Sequence, residues 1–161
     1  MLRAAVLTVS DRSSAGLRED AGGPALTEYL KSHGIEVAWT AIVPDDQDAI
    51  CRVLKKWADQ DRADLILTTG GTGLSPRDVT PEATASVLDR TVPGMAEAMR
   101  AASMTKTPHA MISRALAGVR GQTLIINLPG SPRGAIENLE AVMPALEHAV
   151  SKIKGDPTEC A

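Results

Sequence analysis

The densest stretch of potential chemistry in the chain is Thr68-Thr69-Gly70-Gly71-Thr72-Gly73. Three glycines in four positions let the backbone turn tightly and present its N–H groups to an anion, the signature of a phosphate cradle. The pattern is not a Walker A loop, because no Gly-Lys-Ser/Thr follows, and it is not the GxGxxG of dinucleotide sites. A glycine-rich turn after a strand also serves simply as a turn. Just beyond it, Arg77-Asp78-Val79-Thr80-Pro81-Glu82 sets a cation and a carboxylate ahead of a helix start. A carboxylate beside bound phosphates can hold Mg²⁺, which neutralises charge in a displacement at phosphorus. Asp78 is therefore the leading catalytic candidate, with bracing of the loop through backbone N–H groups as the alternative.

Asp45 carries the same two readings, since it follows a strand end and precedes a helix that either it or Asp46 could cap. Ser10 and Asp11 close the first strand and could supply a hydroxyl and a carboxylate to the same crevice, or form an ordinary turn. Asn127 to Pro132 is a second Gly/Pro-rigidified loop, able to present backbone N–H groups and the Ser131 hydroxyl, or to serve as a connection in which Ser131 caps the last helix. His33, His109 and His148 lack metal-ligand spacing, so no zinc site is expected. No Gly-x-Ser-x-Gly elbow is present, and no hydrolase arrangement is legible. Met95, Met99, Met104 and Met111 read as core or subunit-interface filling.

These residues need a scaffold, and the hydrophobic periodicity supplies one. Strands are expected over 3–10, 35–43, 63–69, 116–119 and 123–128, the last two flanking an Arg120-Gly121 turn. Between them, Leu26, Tyr29, Leu30 and His33 share a helical face, and Ile50, Val53, Leu54, Trp57 and Ala58 follow i, i+3, i+4, i+7, i+8 spacing. Thr80 as cap and Pro81 at the first helical position open a third helix, and Pro93-Gly94 precedes a methionine-bearing fourth. Ile136 to Ile153 forms the last, with Pro144 expected to kink or break it. Strands alternating with helices imply an α/β fold with a mainly parallel sheet covered on both faces. Ligands of such sheets bind at the carboxyl ends of the strands, so the loops 10–16, 44–46, 70–80 and 127–132 should converge.

Composition narrows the functions further. The 161 residues hold no Phe, two Trp and one Tyr, so no aromatic surface for stacking bases is expected. Seventeen basic against twenty acidic residues give a net charge of −3, which offers no general attraction to nucleic acid or an anionic membrane. No run reaches the roughly 20 apolar residues of a membrane helix, and the opening residues show no leader pattern. Cys51 and Cys160, far apart and outside any metal pattern, are expected to be free thiols in a cytoplasmic protein.

Taken together, TTGGTGLSPRDVTPE over 68–82, VSDRSSAG over 9–16 and LIINLPGSP over 124–132 strongly resemble the molybdenum-cofactor biosynthesis family of MogA and MoaB proteins, with the G domains of gephyrin and its plant counterpart. The resemblance spans nearly the whole chain. It implies a three-layer α/β/α sandwich with a mixed, mainly parallel sheet, a single molybdopterin-binding domain over 1–155, a flexible tail over 156–161, and assembly as a homotrimer. It also implies a molybdopterin adenylyltransferase that transfers AMP from Mg-ATP to the molybdopterin phosphate with release of pyrophosphate, and a molybdate-insertion enzyme as partner. By similarity, Asp45 and Asp78 match the two acidic catalytic positions and would hold Mg²⁺. Gly70, Gly71, Thr72 and Gly73 match the phosphate-contacting loop, and Ser10 and Asp11 the first loop. Ser113 matches a ligand-site serine, while Asn127, Pro129, Gly130 and Ser131 match the closing loop. The same resemblance admits a MoaB-like molybdopterin-binding protein without adenylylation and, more remotely, a nucleotide or sugar pyrophosphatase.

Overall fold

A computed structural model describes residues 1–160. Its six strands are β1 (Arg3–Val9), β2 (Glu36–Val43), β3 (Leu65–Thr69), β4 (Arg90–Thr91), β5 (Ala117–Arg120) and β6 (Thr123–Leu128). They form one sheet in the order β2-β1-β3-β6-β5-β4. The first four in that order run parallel, and β5 and β4 continue the sheet by antiparallel pairing. The sheet is therefore mixed and mainly parallel, as the alternating pattern requires.

Six α-helices cover it: α1 (Asp11–Ser14), α2 (Gly22–Ser32), α3 (Gln47–Lys55), α4 (Thr80–Val87), α5 (Pro93–Met104) and α6 (Pro132–Ile153). Side chains alternate across the pleat, so each strand feeds two cores. Ala4, Val6, Leu65, Leu67, Leu124 and Ile126 pack with α2, α5 and α6 on one face. Ala5, Leu7, Ile66 and Ile125 pack with α3, α4 and the π-helical turn Lys56–Gln60 on the other. The three central strands are buried on both faces, which is why they read as nearly continuous aliphatic runs.

Several expectations are corrected here. Thr80 is not a helix cap: the capping position is Val79, and the buried Thr80 hydroxyl donates instead to Gly70 O at 2.9 Å. Pro144 does not break the last helix, which runs unbroken through Ile153 because Leu139, Val142, Leu146 and Val150 seat its face on the sheet on both sides of the proline. Met95 and Met99 fill the core, one of the two roles expected of them, while Met104 and Met111 are exposed. Strand β4, only two residues long, gave no periodic signal, and neither did the short helices α1 and Pro108–Ile112. Cys51 and Cys160 are free, as expected. No helix among the described residues is long and apolar enough to cross a membrane. Of the tail expected over 156–161, residues 156–160 carry no helix or strand, and Ala161 lies outside the described residues.

Candidate active site

The parallel strands β2, β1, β3 and β6 all end on the same edge, and the chain leaves β1 toward β2 on one side and reaches β3 on the other. That reversal opens a crevice between the loops after β1 and β3. Neighbouring strand ends are tied together: Ser10 N donates to Val43 O at 2.9 Å, and Gly70 N to Leu128 O at 3.1 Å. All four loops expected to converge do so.

The glycine loop takes a backbone path closed to other residues at two points. Gly70 has φ +104° and Gly71 φ +69°, both in the region that favours glycine. A Cβ on Gly70 would collide with Val9 O, and one on Gly71 would collide with the Thr80 hydroxyl and lie 3.0 Å from Asp45 Oδ1. Thr80 N donates to Gly71 O at 3.1 Å, so the start of α4 clamps the loop from below.

Four charged side chains meet over this loop. Asp11 and Asp45 exchange bonds, Asp11 N donating to Asp45 Oδ2 at 2.9 Å and Asp45 N to Asp11 Oδ1 at 3.0 Å. Arg77 forks onto Asp11, donating from Nε to Oδ2 at 3.0 Å and from Nη2 to Oδ1 at 2.9 Å. That guanidinium, followed by the Asp45 amide, holds the Asp11 carboxyl below its ordinary range. Asp45 is pushed the other way, first by burial and then by the neighbouring Asp11 and Asp78 charges, against the amide of Asp11 and the pull of Arg77. Asp46, not Asp45, caps α3, accepting from Ala49 N at 2.9 Å. Asp45 is thereby free of the capping role that its position in sequence left open. Asp78 Oδ2 accepts from Ser75 N at 3.0 Å, so this carboxylate does brace its own loop.

Two adjoining cavities lie along the loop. A polar one of about 310 Å³ is lined by Ser10, Asp45, Gly70, Gly71, Asp78 and Gly130, with Arg18 at its wall and the first residues of α2 and α6 facing it. A second, of about 270 Å³, is walled by Thr72, Gly73, Ser113, Pro129 and residues of α5 and α6. Ser131 lines both, while its hydroxyl accepts from Gly134 N at 3.0 Å to cap α6. Successive residues of one loop, Gly70-Gly71 and then Thr72-Gly73, thus face first one cavity and then the other. Ser10 likewise caps α1, accepting from Ser13 N at 3.1 Å.

Asn127 does not join them. It is fully buried, and its side chain donates to Thr68 Oγ1 at 3.0 Å and Thr84 Oγ1 at 2.9 Å while accepting from Leu116 N at 3.1 Å. It ties the β3 and β6 ends to α4 beneath the site. Asp11 stands behind Asp45 as a buttress and lines neither cavity.

The sequence reading missed four residues. Asp20 accepts from Thr8 Oγ1 at 2.8 Å and Gly23 N at 3.1 Å, fixing the start of α2 at the polar cavity. Arg100 donates to Ser113 O at 3.3 Å and Ala115 O at 2.9 Å, shaping the second cavity. Arg114 binds the glycine loop. Asn138, buried on the side of α6 that meets α5, donates to Ser103 Oγ at 2.9 Å. Only Asn138 left a legible sign, a polar residue within the apolar stripe of the last helix.

Comparison with known proteins agrees with this geometry. Residues 5–148 match the family described as "Probable molybdopterin binding domain". The molybdopterin adenylyltransferase of Helicobacter pylori strain ATCC 700392 / 26695 is 44% identical over 153 residues, covering 94% of this chain and 87% of that protein. The crystal structure of the molybdopterin biosynthesis enzyme MoaB from Thermus thermophilus is 55% identical with a TM-score of 0.92, covering 99% of this chain and all of that one. The molybdopterin biosynthesis Mog protein from Mycobacterium ulcerans is 39% identical with a TM-score of 0.89, covering 95% of this chain and 99% of that one. With the matching strand-end loops, glycine cradle and paired carboxylates in place, the chain belongs to the MogA/MoaB-type molybdopterin-binding family of molybdenum cofactor biosynthesis.

Proposed function

We propose that this protein is a molybdopterin adenylyltransferase, a nucleotidyltransferase that joins AMP from ATP to the terminal phosphate of molybdopterin and releases pyrophosphate. The observation that carries the reading is the pair of adjoining cavities served by one glycine loop, with Asp45 and Asp78 on that loop's acidic side. Two phosphate-bearing substrates seated in these cavities would meet at the loop. An oxygen of the molybdopterin phosphate attacks the α-phosphorus of ATP, forming a new P–O–P link as the bond from the α-phosphorus to the β-bridging oxygen breaks. Such a displacement needs alignment and charge neutralisation more than covalent help. Loop N–H groups and the starts of α2 and α6 supply partial positive charge to the phosphates.

The donor set fits Mg²⁺. Asp45 and Asp78 both line the polar cavity and repel one another, while the Asp11 carboxylate is already engaged by Arg77. Asp45 and Asp78 are the carboxylates left to hold the ion, a number suited to Mg²⁺ completed by phosphates and water. Bound there, the ion would supply neutralisation of the triphosphate charge. Within the protein, Asp11 and Arg77 keep Asp45 in place, and the Ser75 amide keeps Asp78 in place.

The MogA/MoaB family resemblance also admits a second reading, a molybdopterin-binding protein without transfer activity. Incubating the purified protein with molybdopterin and Mg-ATP, and following pyrophosphate and adenylylated pterin, separates the two. Product that requires pterin supports the transferase. Tight pterin binding without product supports the carrier, and ATP breakdown without pterin supports a pyrophosphatase. We further propose a cytoplasmic homotrimer, organised as one domain over 1–155 and passing its product to a molybdate-insertion enzyme; sedimentation at equilibrium tests the trimer.

A further inference from the structure

Between Gly71 and Asp78 the glycine loop contains no helix or strand, yet it carries Gly73 and Asp78. Apart from the Arg77–Asp11 pair, the bonds that reach it there from a distant part of the chain, among the described residues, come from Arg114. Its backbone N donates to Thr72 O at 2.9 Å, its Nε to Gly73 O at 2.8 Å and its Nη2 to Asp78 O at 2.8 Å. The remaining Nη1 meets the Glu82 carboxylate in the first turn of α4. One guanidinium thus spans both ends of the loop and the helix that follows it. Arg114 also adjoins Ser113, whose carbonyl is held by Arg100 at the wall of the second cavity.

We infer that Arg114 is a positioning residue for the transfer, fixing Gly73 and Asp78 against the cavity wall at Ser113 so that the two cavities keep the spacing the reaction needs. This rests on the adenylyltransferase reading. The ion pair itself is not the source of the effect, since Arg114 and Glu82 are 35% and 46% exposed and such pairs contribute little. What matters is the planar fork, which can satisfy two carbonyls and a carboxylate at once; the ammonium of lysine is a single point and cannot.

The test compares the wild type with Arg114→Gln and Arg114→Lys by steady-state kinetics, molybdopterin binding and hydrogen exchange. Turnover of Arg114→Gln is expected to fall about 10²-fold, the scale of one lost electrostatic or positioning contact, with much smaller changes in KM. Lysine should restore only a small part of it. Amides of 72–78 should exchange faster while β1, β3 and β6 stay protected. Near-normal turnover, full rescue by lysine, or a loss of protection spread across the whole sheet would each overturn the inference. Should the wild type itself form no adenylylated pterin, the functional reading fails; the exchange result still decides whether Arg114 holds the loop, and an unchanged loop rejects it.

Discussion

Asp78 has two roles that a matched pair of substitutions can pull apart. Its Oδ2 accepts from Ser75 N at 3.0 Å near the surface, a bond worth about 0.5–1.5 kcal/mol. Asp78→Ala removes that acceptor, and for a chain of this size should lower the melting temperature by roughly 1–6 °C. Asp78→Asn keeps an oxygen for Ser75 N and removes only the charge, so its melting temperature should stay within about 1 °C of the wild type, or rise as the repulsion of Asp45 is relieved. Turnover discriminates further. Where the charge assists the displacement, both variants should lose about 10²–10³-fold, equivalent to ~3–4 kcal/mol of transition-state stabilisation. Where Asp78 only braces the loop, Asn should work nearly as well as Asp while Ala fails. The assay is pterin-dependent pyrophosphate release at saturating Mg-ATP, with thermal melts on the same samples. An Asn variant with more than about a tenth of wild-type turnover refutes the catalytic assignment.

Three further outcomes follow from the same geometry. Burial and the Asp11 and Asp78 charges raise the Asp45 pKa above 3.8, so its ionised form costs stability above the folded pKa, and the cost is relieved as pH falls through it. Asp45→Asn should therefore melt higher than the wild type at pH 7 without Mg²⁺, the gap closing on acidification and reversing with Mg²⁺; a variant less stable in metal-free buffer at pH 7 contradicts this. Gly71→Ala places a side chain at φ +69° and against the Thr80 hydroxyl, and should cost about 2–5 kcal/mol in denaturant titrations, from ~1–2 for the backbone and ~1–3 for the broken Thr80–Gly70 bond. Asn127→Ala strands the half-buried Leu116 amide and two buried threonine hydroxyls and should cost about 2–4 kcal/mol; a loss below about 1 kcal/mol would mean that water replaces the amide.

The layered α/β architecture was legible in the sequence because burial on both faces forces aliphatic runs in β1, β3 and β6, and amphipathic stripes in α2, α3 and α6. The glycine loop and Asp78 were legible for a local reason: backbone curvature and turn chemistry are written in consecutive residues. Choices that depend on contacts between distant segments were not. Whether Asp45 or Asp46 caps α3 was settled by Asp11, 34 residues away, which occupies Asp45. Thr80 looks like a helix cap until its hydroxyl is seen to hold Gly70. Asn127 is close in sequence to Gly130 and Ser131, yet it lies inside β6, which is buried on both faces, whereas Gly130 and Ser131 lie beyond the strand end and line the cavities. Arg114 stands 36 residues beyond Asp78, and no local pattern ties the two; only the packing of the segment after α5 against the glycine loop brings its guanidinium onto the Gly73 and Asp78 carbonyls. Periodicity and backbone freedom are local properties, so the long strands, their covering helices and the curvature of the phosphate loop could be read from the order of residues. Which polar groups face a ligand and which brace one another depends on partners the chain meets only after it folds.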